Sequence, residues 1–301
     1  MSKRGKIAVT GASGLVGAAL LTELSGRGFD AIRLVRRPAT SGDEAQWDPA
    51  AGTIDADALS GVTGVVHLAG DNIASGRWSE AKKARILESR VKGTELISEM
   101  LAKLEPQPRV LVSASAIGFY GNRGSEAVDE RSAPGQGFLA DVCQAWEAAT
   151  APARDAGVRV VNARIGVVLA AEGGALAKMK APFLLGIGGR IGDGTQYMSW
   201  ITLDDLVSAL LFAVDNERLR GPVNMVAPAP VTNAELTSTL GRVLKRPTFL
   251  PVPKFALRLG AGAEMADEML LGGARVVPAA LQSNGFRWSH PTLEPALRSV
   301  L

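Results

Sequence analysis

The stretch Lys6-Ile-Ala-Val-Thr-Gly11-Ala-Ser-Gly14-Leu-Val-Gly17 constrains this chain more than any other. A short apolar strand runs into a glycine-spaced turn, and an amphipathic segment from Ala18 to Leu24 opens directly behind it. Gly11 permits the tight turn, Gly14 lets backbone approach a ligand, and Gly17 lets the helix sit close on the strand. The unpaired N–H groups and positive end of the new helix then face an anion such as a dinucleotide pyrophosphate. Glycine-spaced turns also occur in ordinary strand-to-helix connections. The readable strand before and helix after supply the context that the nucleotide reading requires. Thr10, Gly11, Ser13, Gly14, Leu15 and Val16 are the expected contacts of this loop.

Further apolar runs bounded by turn residues follow at Ala31–Val35, Gly64–Leu68, Arg109–Ser113 and Val158–Ala163, most of them separated by helix-length segments. Alternation of this kind predicts an α/β fold, a Rossmann-type doubly wound parallel sheet with its ligand crevice at the carboxyl ends of the strands. After about residue 170 glycine becomes dense in Gly186–Gly194, and prolines gather in Val226–Pro230 and Phe249–Pro253. The expected division is a nucleotide-binding domain over 1–170 and a smaller α/β substrate lobe over 171–301, with chain crossings back to the core among the arrangements this allows.

Composition narrows the function classes. With 47% apolar and 21% charged residues, disorder is excluded. The net charge is +3 and no basic run exceeds a pair, so nucleic acid is not an expected partner. One cysteine, Cys143, and two distant histidines, His67 and His290, give neither an internal disulfide nor a metal-site spacing. There is no apolar signal core and no long hydrophobic span, which predicts a cytoplasmic protein without a membrane partner.

The second strand bears on which dinucleotide binds. It ends Leu34-Val35-Arg36-Arg37-Pro38, with no carboxylate in the first position after it. A carboxylate there would suit the ribose 2′-hydroxyl of NAD, whereas arginine forks suit a 2′-phosphate. NADP(H) is the expected cofactor, with Arg36 and Arg37 on the phosphate; solvated surface charge is the competing reading of the pair. A long helix from about Ser79 to Leu104 carries Ile86, Thr94, Ile97, Leu101 and Leu104 on one face. Arg90 points from the middle of that face and needs an anionic or carbonyl-rich partner. A cofactor phosphate and an internal carboxylate are the two candidates, while Arg85 falls off the face.

Taken together, these residues resemble the extended short-chain dehydrogenase/reductases. The chain is most similar to their atypical branch of nucleoside-diphosphate-sugar epimerase-like proteins, also called cell-division-inhibitor-like. The resemblance rests on Thr10–Gly17, Val66–Asn72, Arg77-Trp78 with Ser89-Arg-Val, Ser113–Gly121, Arg164–Leu169, Ser199–Asp205 and Gly221–Ala227. A C-terminal segment, Ala263–Asp267 through Arg275–Pro278 to Gly285-Phe286, extends it to essentially the whole chain. It implies a Rossmann core with a small substrate lobe and NADP(H) along the strand ends. It also implies that Leu68, Ala69, Gly70 and Ser113 lie against the cofactor. Arg90 would take a slot where many relatives carry asparagine, and Arg164 would lie near the nicotinamide side.

The chain departs from the superfamily where a Tyr-x-x-x-Lys pair is usual. A spacing of four sets a phenol and an ammonium on one helical face, where the ammonium eases proton transfer. Here the corresponding helix reads Gly137–Glu147, and Leu139 and Cys143 fall at those positions. Ser115, at the usual substrate-binding serine, and Tyr120 are the replacement candidates for catalysis; plain turn residues are the competing reading. Arg190, Gln196, Met198 and Trp200 are candidate substrate contacts. Two functions remain open: an NADP(H)-dependent oxidoreductase or epimerase acting on a small carbonyl or alcohol, a sugar nucleotide among the candidates, or a protein that binds NADPH without turnover and acts by regulation or partner binding.

Overall fold

A computed structural model describes residues 4–301; residues 1–3, the start of the first expected domain, lie outside the described residues. Eight strands form the main sheet: β1 (Lys6–Thr10), β2 (Asp30–Val35), β3 (Glu44–Asp48), β4 (Thr53–Ile54), β5 (Gly64–His67), β6 (Val110–Ala116), β7 (Arg159–Ile165) and β8 (Gly221–Met225). Their order is β8-β7-β6-β5-β1-β2-β3-β4. Every pairing is parallel except that of β4 with β3. The strand order reverses between β1 and β5, which is where a doubly wound sheet opens its crevice.

Helices cover both faces. On one, Leu20 and Leu24 of α1 (Leu15–Gly26) meet Val9, Val66 and Val112 of the sheet in one buried cluster. On the other, Ile97 and Leu101 of α2 (Glu80–Lys103) pack with Val65 and Leu111. Each fully buried leucine or isoleucine contributes on the order of 2 kcal/mol relative to exposure. The bounds of α2 follow from chemistry: the Ser79 hydroxyl accepts the Lys82 N–H, Glu80 sits in the first turn, and Lys103 in the last. Helices α3 (Phe138–Ala148) and α4 (Ala151–Asp155) lead from the end of β6 into β7.

Beyond β7 the chain leaves the sheet through α5 (Gly174–Leu184) and then returns. Helix α6 (Leu203–Asp215) places Leu206 and Leu210 in the same cluster as α1, and β8 joins the sheet edge beside β7. The smaller lobe is built around Leu176, Trp200, Leu236, Leu240 and Leu297. It includes α7 (Asn233–Leu244), started by a capping box between Thr232 and Glu235. Helix α8 (Lys254–Ala261) follows and contributes no buried residue.

Candidate functional site

The glycine turn is built as its spacing requires. Gly11 has φ +65°, and a Cβ there would stand 2.9 Å from the Leu68 carbonyl carbon. A Cβ at Gly17 would stand 2.2 Å from the Gly11 carbonyl oxygen, so helix and turn close only around glycine. Gly14 caps α1 with no side-chain hydrogen bond, and the first turn of α1 carries no acid. The helix therefore opens its N–H groups and positive end to an external anion. Ser13 and Gly14 are exposed, and Leu15 and Val16 half-buried. Leu15 touches the start of the smaller lobe, where a Cβ on Gly174 would lie 3.3 Å from its Cδ2.

Thr10 is fully buried. Its hydroxyl accepts the backbone N–H groups of Leu68 and Ala69 and stands against Nδ1 of His67. It thus shapes the crevice from beneath. Leu68 and Ala69 are half-buried and Gly70 is exposed at the crevice rim. Ser113 is fully buried in β6.

The two arginines after β2 part company. Arg36 is exposed and makes no hydrogen bond or ion pair among the described residues. Arg37 is clamped instead: its guanidinium donates to both carboxylate oxygens of Glu44, at 2.8 and 2.6 Å. Those hydrogen bonds, with the Thr40 N–H, hold the Glu44 carboxyl down to about 2. The expectation that both arginines serve a 2′-phosphate gives way to one free fork, Arg36, because β3 brings a carboxylate beneath the other.

Arg90 found carbonyls. Its Nη1 donates to the backbone oxygens of Asp71 and Ile86, at 3.1 and 3.0 Å. The guanidinium carbon lies 4.9 Å from the Trp146 ring centre and would meet a Cβ on Gly70 at 3.3 Å. No carboxylate pairs with it, and its Nε and Nη2 donors have no protein partner among the described residues. Arg85 is exposed.

Ser115, Tyr120 and Arg164 belong to one buried polar chain. Ser115 donates to Glu147 at 2.7 Å, and Arg164 holds the same carboxylate bidentately at 2.7 and 2.8 Å. Arg164 also donates to the Tyr120 hydroxyl at 3.0 Å, which donates to Asn224 at 2.7 Å. The Arg164 guanidinium lies 3.4 Å from the Phe119 ring centre. Tyr120 has no exposed surface, and burial raises its pKa above the usual phenol value. The proposed Ser115/Tyr120 acid–base couple is therefore not assembled: the phenol proton is committed to Asn224. The Arg164 side chain is committed to Glu147 rather than turned to the crevice.

The helix face that carries Tyr and Lys in the superfamily does turn toward the end of β6. A Cβ on Gly118 would lie 3.3 Å from Leu139 Cβ and 3.7 Å from Cys143 Sγ. Cys143 is buried, and burial pushes its thiol up to about 11, so it is an apolar filler rather than a thiolate. Glu147 continues this face one turn further, and spacing alone could have flagged it. Sequence reasoning had no signal for Glu268, whose carboxylate accepts the Phe138 and Leu139 N–H groups at 2.8 Å each. That carboxylate caps α3 from the C-terminal segment, an unusually distant N-cap.

In the smaller lobe Trp200 is fully buried, its indole donating to the Ala229 carbonyl at 3.0 Å, which removes it as a substrate contact. Gln196 donates to the backbone of Ile191 and Leu270, Met198 packs on the lobe core, and Arg190 is exposed. Among the described residues no cluster of His, Cys, Asp or Glu could hold a metal, and no helix is long and apolar enough to cross a membrane.

Comparison with known proteins agrees with this geometry. Residues 7–226 match the model of the NAD dependent epimerase/dehydratase family, and residues 252–300 match a domain of unknown function, DUF1731. An epimerase family protein of Mycobacterium leprae is 46% identical over 98% of this chain and 95% of its own length. The crystal structure of human epimerase family protein SDR39U1 with NADPH has a TM-score of 0.89 and 33% identity, covering 98% of each chain. That of the nucleoside-diphosphate sugar epimerase from Corynebacterium glutamicum has a TM-score of 0.82 and 38% identity, covering 99% of this chain and 58% of that one. A cradle that closes only around glycine, an uncapped helix above it and a match over more than two thirds of the sequence lead to one conclusion: the chain belongs to the NAD-dependent epimerase/dehydratase family.

Proposed function

We propose that this protein is a cytoplasmic NADP(H)-dependent oxidoreductase acting on a small carbonyl or alcohol, and that it works without the phenol–ammonium pair usual in its superfamily. The observation that carries the cofactor assignment is the uncapped start of α1, seated on a turn that closes against the helix only because residue 17 is glycine. The NADPH in the SDR39U1 crystal structure supports the same choice. When bound, NADP(H) supplies a hydride to carbon or takes one from it.

The chain's own residues divide the remaining work. The Gly11–Gly17 turn and the first N–H groups of α1 hold the pyrophosphate, and Arg36 offers a free planar fork to a 2′-phosphate. Leu68, Ala69 and Gly70 would form one wall, and the Arg90 guanidinium beside Gly70 has donors left to offer a ligand there. At the end of β6, Leu139 and Cys143 leave an apolar surface: leucine has no proton to give, and burial makes the Cys143 thiol keep its own. Ser115 donates to the Glu147 carboxylate that Arg164 also holds, so its hydroxyl proton is already committed. Neither Tyr120, whose proton goes to Asn224, nor Cys143 is free to exchange the proton that would accompany hydride transfer.

A second reading has its own observation. Leu139 and Cys143 also suit a protein that holds NADPH without turnover and reports its binding to a partner. Screening NADPH oxidation over carbonyl compounds, sugar nucleotides among them, separates the two. Turnover of one compound class, retained in Tyr120→Phe, supports the oxidoreductase. Tight NADPH binding with no turnover of any compound would leave the second reading.

A further inference from the structure

Helix α8 and the segments beside it present an apolar surface that neither fold nor cofactor site uses. Leu185 is 76% exposed, Phe249 75%, Phe255 72% and Leu259 75%. Local backbone pairing brings these segments side by side. Gly189 bridges to Phe249 and Ile191 to Val252, and Pro253 then starts α8, where Phe255 and Leu259 stand one turn apart. Four large side chains at this exposure, on adjoining segments, exceed the scattered apolar residues of an ordinary surface.

Two chain stretches that carry the patch hold bases and no acids of their own. Residues 174–190 carry Lys178, Lys180 and Arg190 and no carboxylate. Residues 236–263 carry Arg242, Lys245, Arg246, Lys254 and Arg258 and again no carboxylate. The whole chain has 33 Lys and Arg against 30 Asp and Glu, so outside these two stretches acids outnumber bases. Asp193, Glu294 and Asp267 reach in to pair with Lys254, Arg242 and Arg258. Lys245, Arg246 and Arg190 make no ion pair among the described residues. Exposed Phe and Leu beside unneutralised Lys and Arg are the pattern of a surface that seats in the headgroup layer of an anionic bilayer.

We infer that this face, α8 with Leu185 and Phe249, docks the protein peripherally on anionic phospholipid membranes. The expectation of no membrane partner rested on the lack of a spanning segment, and an interfacial helix needs none. The lipid headgroups meet Lys245, Arg246 and Arg190, and the aromatic and leucine side chains enter the layer beneath. The hydrogen bonds from Arg77 to the Leu259 and Gly260 carbonyls, at 2.7 and 3.3 Å, tie α8 to the loop that follows Gly70. Docking therefore places the crevice rim near the membrane.

Flotation of the full chain with phosphatidylcholine vesicles, with and without phosphatidylglycerol, tests this. The expected result is recovery with phosphatidylglycerol vesicles only, weakening as salt rises. Phe255→Asp with Leu259→Asp, and separately Lys245→Glu with Arg246→Glu, should lower the partition at least about tenfold. Both variants change exposed residues, and unaltered thermal melting and NADPH affinity will establish that they are folded. Equal recovery with both vesicle types, no recovery at low salt, or full recovery of the folded variants would overturn the proposal. So would a concentration-dependent dimer that Phe255→Asp dissolves in the absence of vesicle binding, since the face then joins two copies.

Discussion

The hydroxyl of Thr10 lies 2.8 Å from Nδ1 of His67 while accepting the Leu68 and Ala69 N–H groups at 2.9 and 3.1 Å. Its two lone pairs are thus taken, and its single proton must go to Nδ1. His67 is therefore the neutral tautomer with its proton on Nε2, which is buried without a hydrogen-bond partner among the described residues. Burial lowers the His67 pKa from 6.5 to about 4. Between those values the unfolded chain binds a proton that the folded protein refuses, so stability falls as pH drops through that window. Urea unfolding should show wild type losing about 3 kcal/mol more than His67→Gln between pH 7.5 and pH 4. Parallel losses in the two proteins would mean that His67 is not held neutral.

The Glu147–Arg164 pair is 13% and 4% exposed, too deep for solvent to screen. Removing one partner leaves a buried charge uncompensated, so Glu147→Leu should cost about 3–5 kcal/mol. Adding Arg164→Met should restore most of it, since the desolvated cation is then gone. Thermal melts of the two single variants and the double variant measure the coupling. A double variant no better than Glu147→Leu would show that packing on Phe119, rather than charge, sets the cost.

Two glycines of one helix should respond in opposite directions. Gly17→Ala drives a methyl into the Gly11 carbonyl and should destabilise by roughly 1–3 kcal/mol, with loss of NADPH binding. Nothing lies within 4 Å of a Cβ at Gly26, so Gly26→Ala should gain about 0.5 kcal/mol and leave binding unchanged. Paired melting curves and cofactor titrations read both effects.

Arg90 meets only carbonyls and an aromatic ring, so Arg90→Leu should fold without leaving any carboxylate unpaired. NADPH affinity should weaken by roughly 1.5–3 kcal/mol if its free donors serve the cofactor. A folded variant with wild-type affinity would reduce Arg90 to a support for the Gly70–Asp71 backbone.

Much of this was legible in the residues. Helix α2 fell between its Ser79 cap and Leu104 because cap and apolar period agreed. The 139/143/147 face was readable from a spacing of four. What escaped depends on pairings that spacing does not encode. Strand β3 is short and polar, so neither it nor the Glu44 carboxylate it sets beneath Arg37 stood out. Strand β8 begins Gly221-Pro222 and reads as a loop, yet proline is tolerated there because the strand lies at the sheet edge. Glu268 caps α3 from about 130 residues away. Trp200 looked like a ligand contact, and packing with Leu176, Leu236, Leu240 and Leu297 buries it in the core of the smaller lobe.

Selection of NADP(H) is assigned to the Gly11–Gly17 cradle together with the unpaired Arg36. Calorimetric titration of wild type and Arg36→Ala with NADPH and NADH tests it most directly. NADPH should bind at least about tenfold tighter than NADH, and Arg36→Ala should remove most of that difference and leave NADH affinity unchanged. Equal affinities in wild type, or a preference that survives in Arg36→Ala, would contradict it.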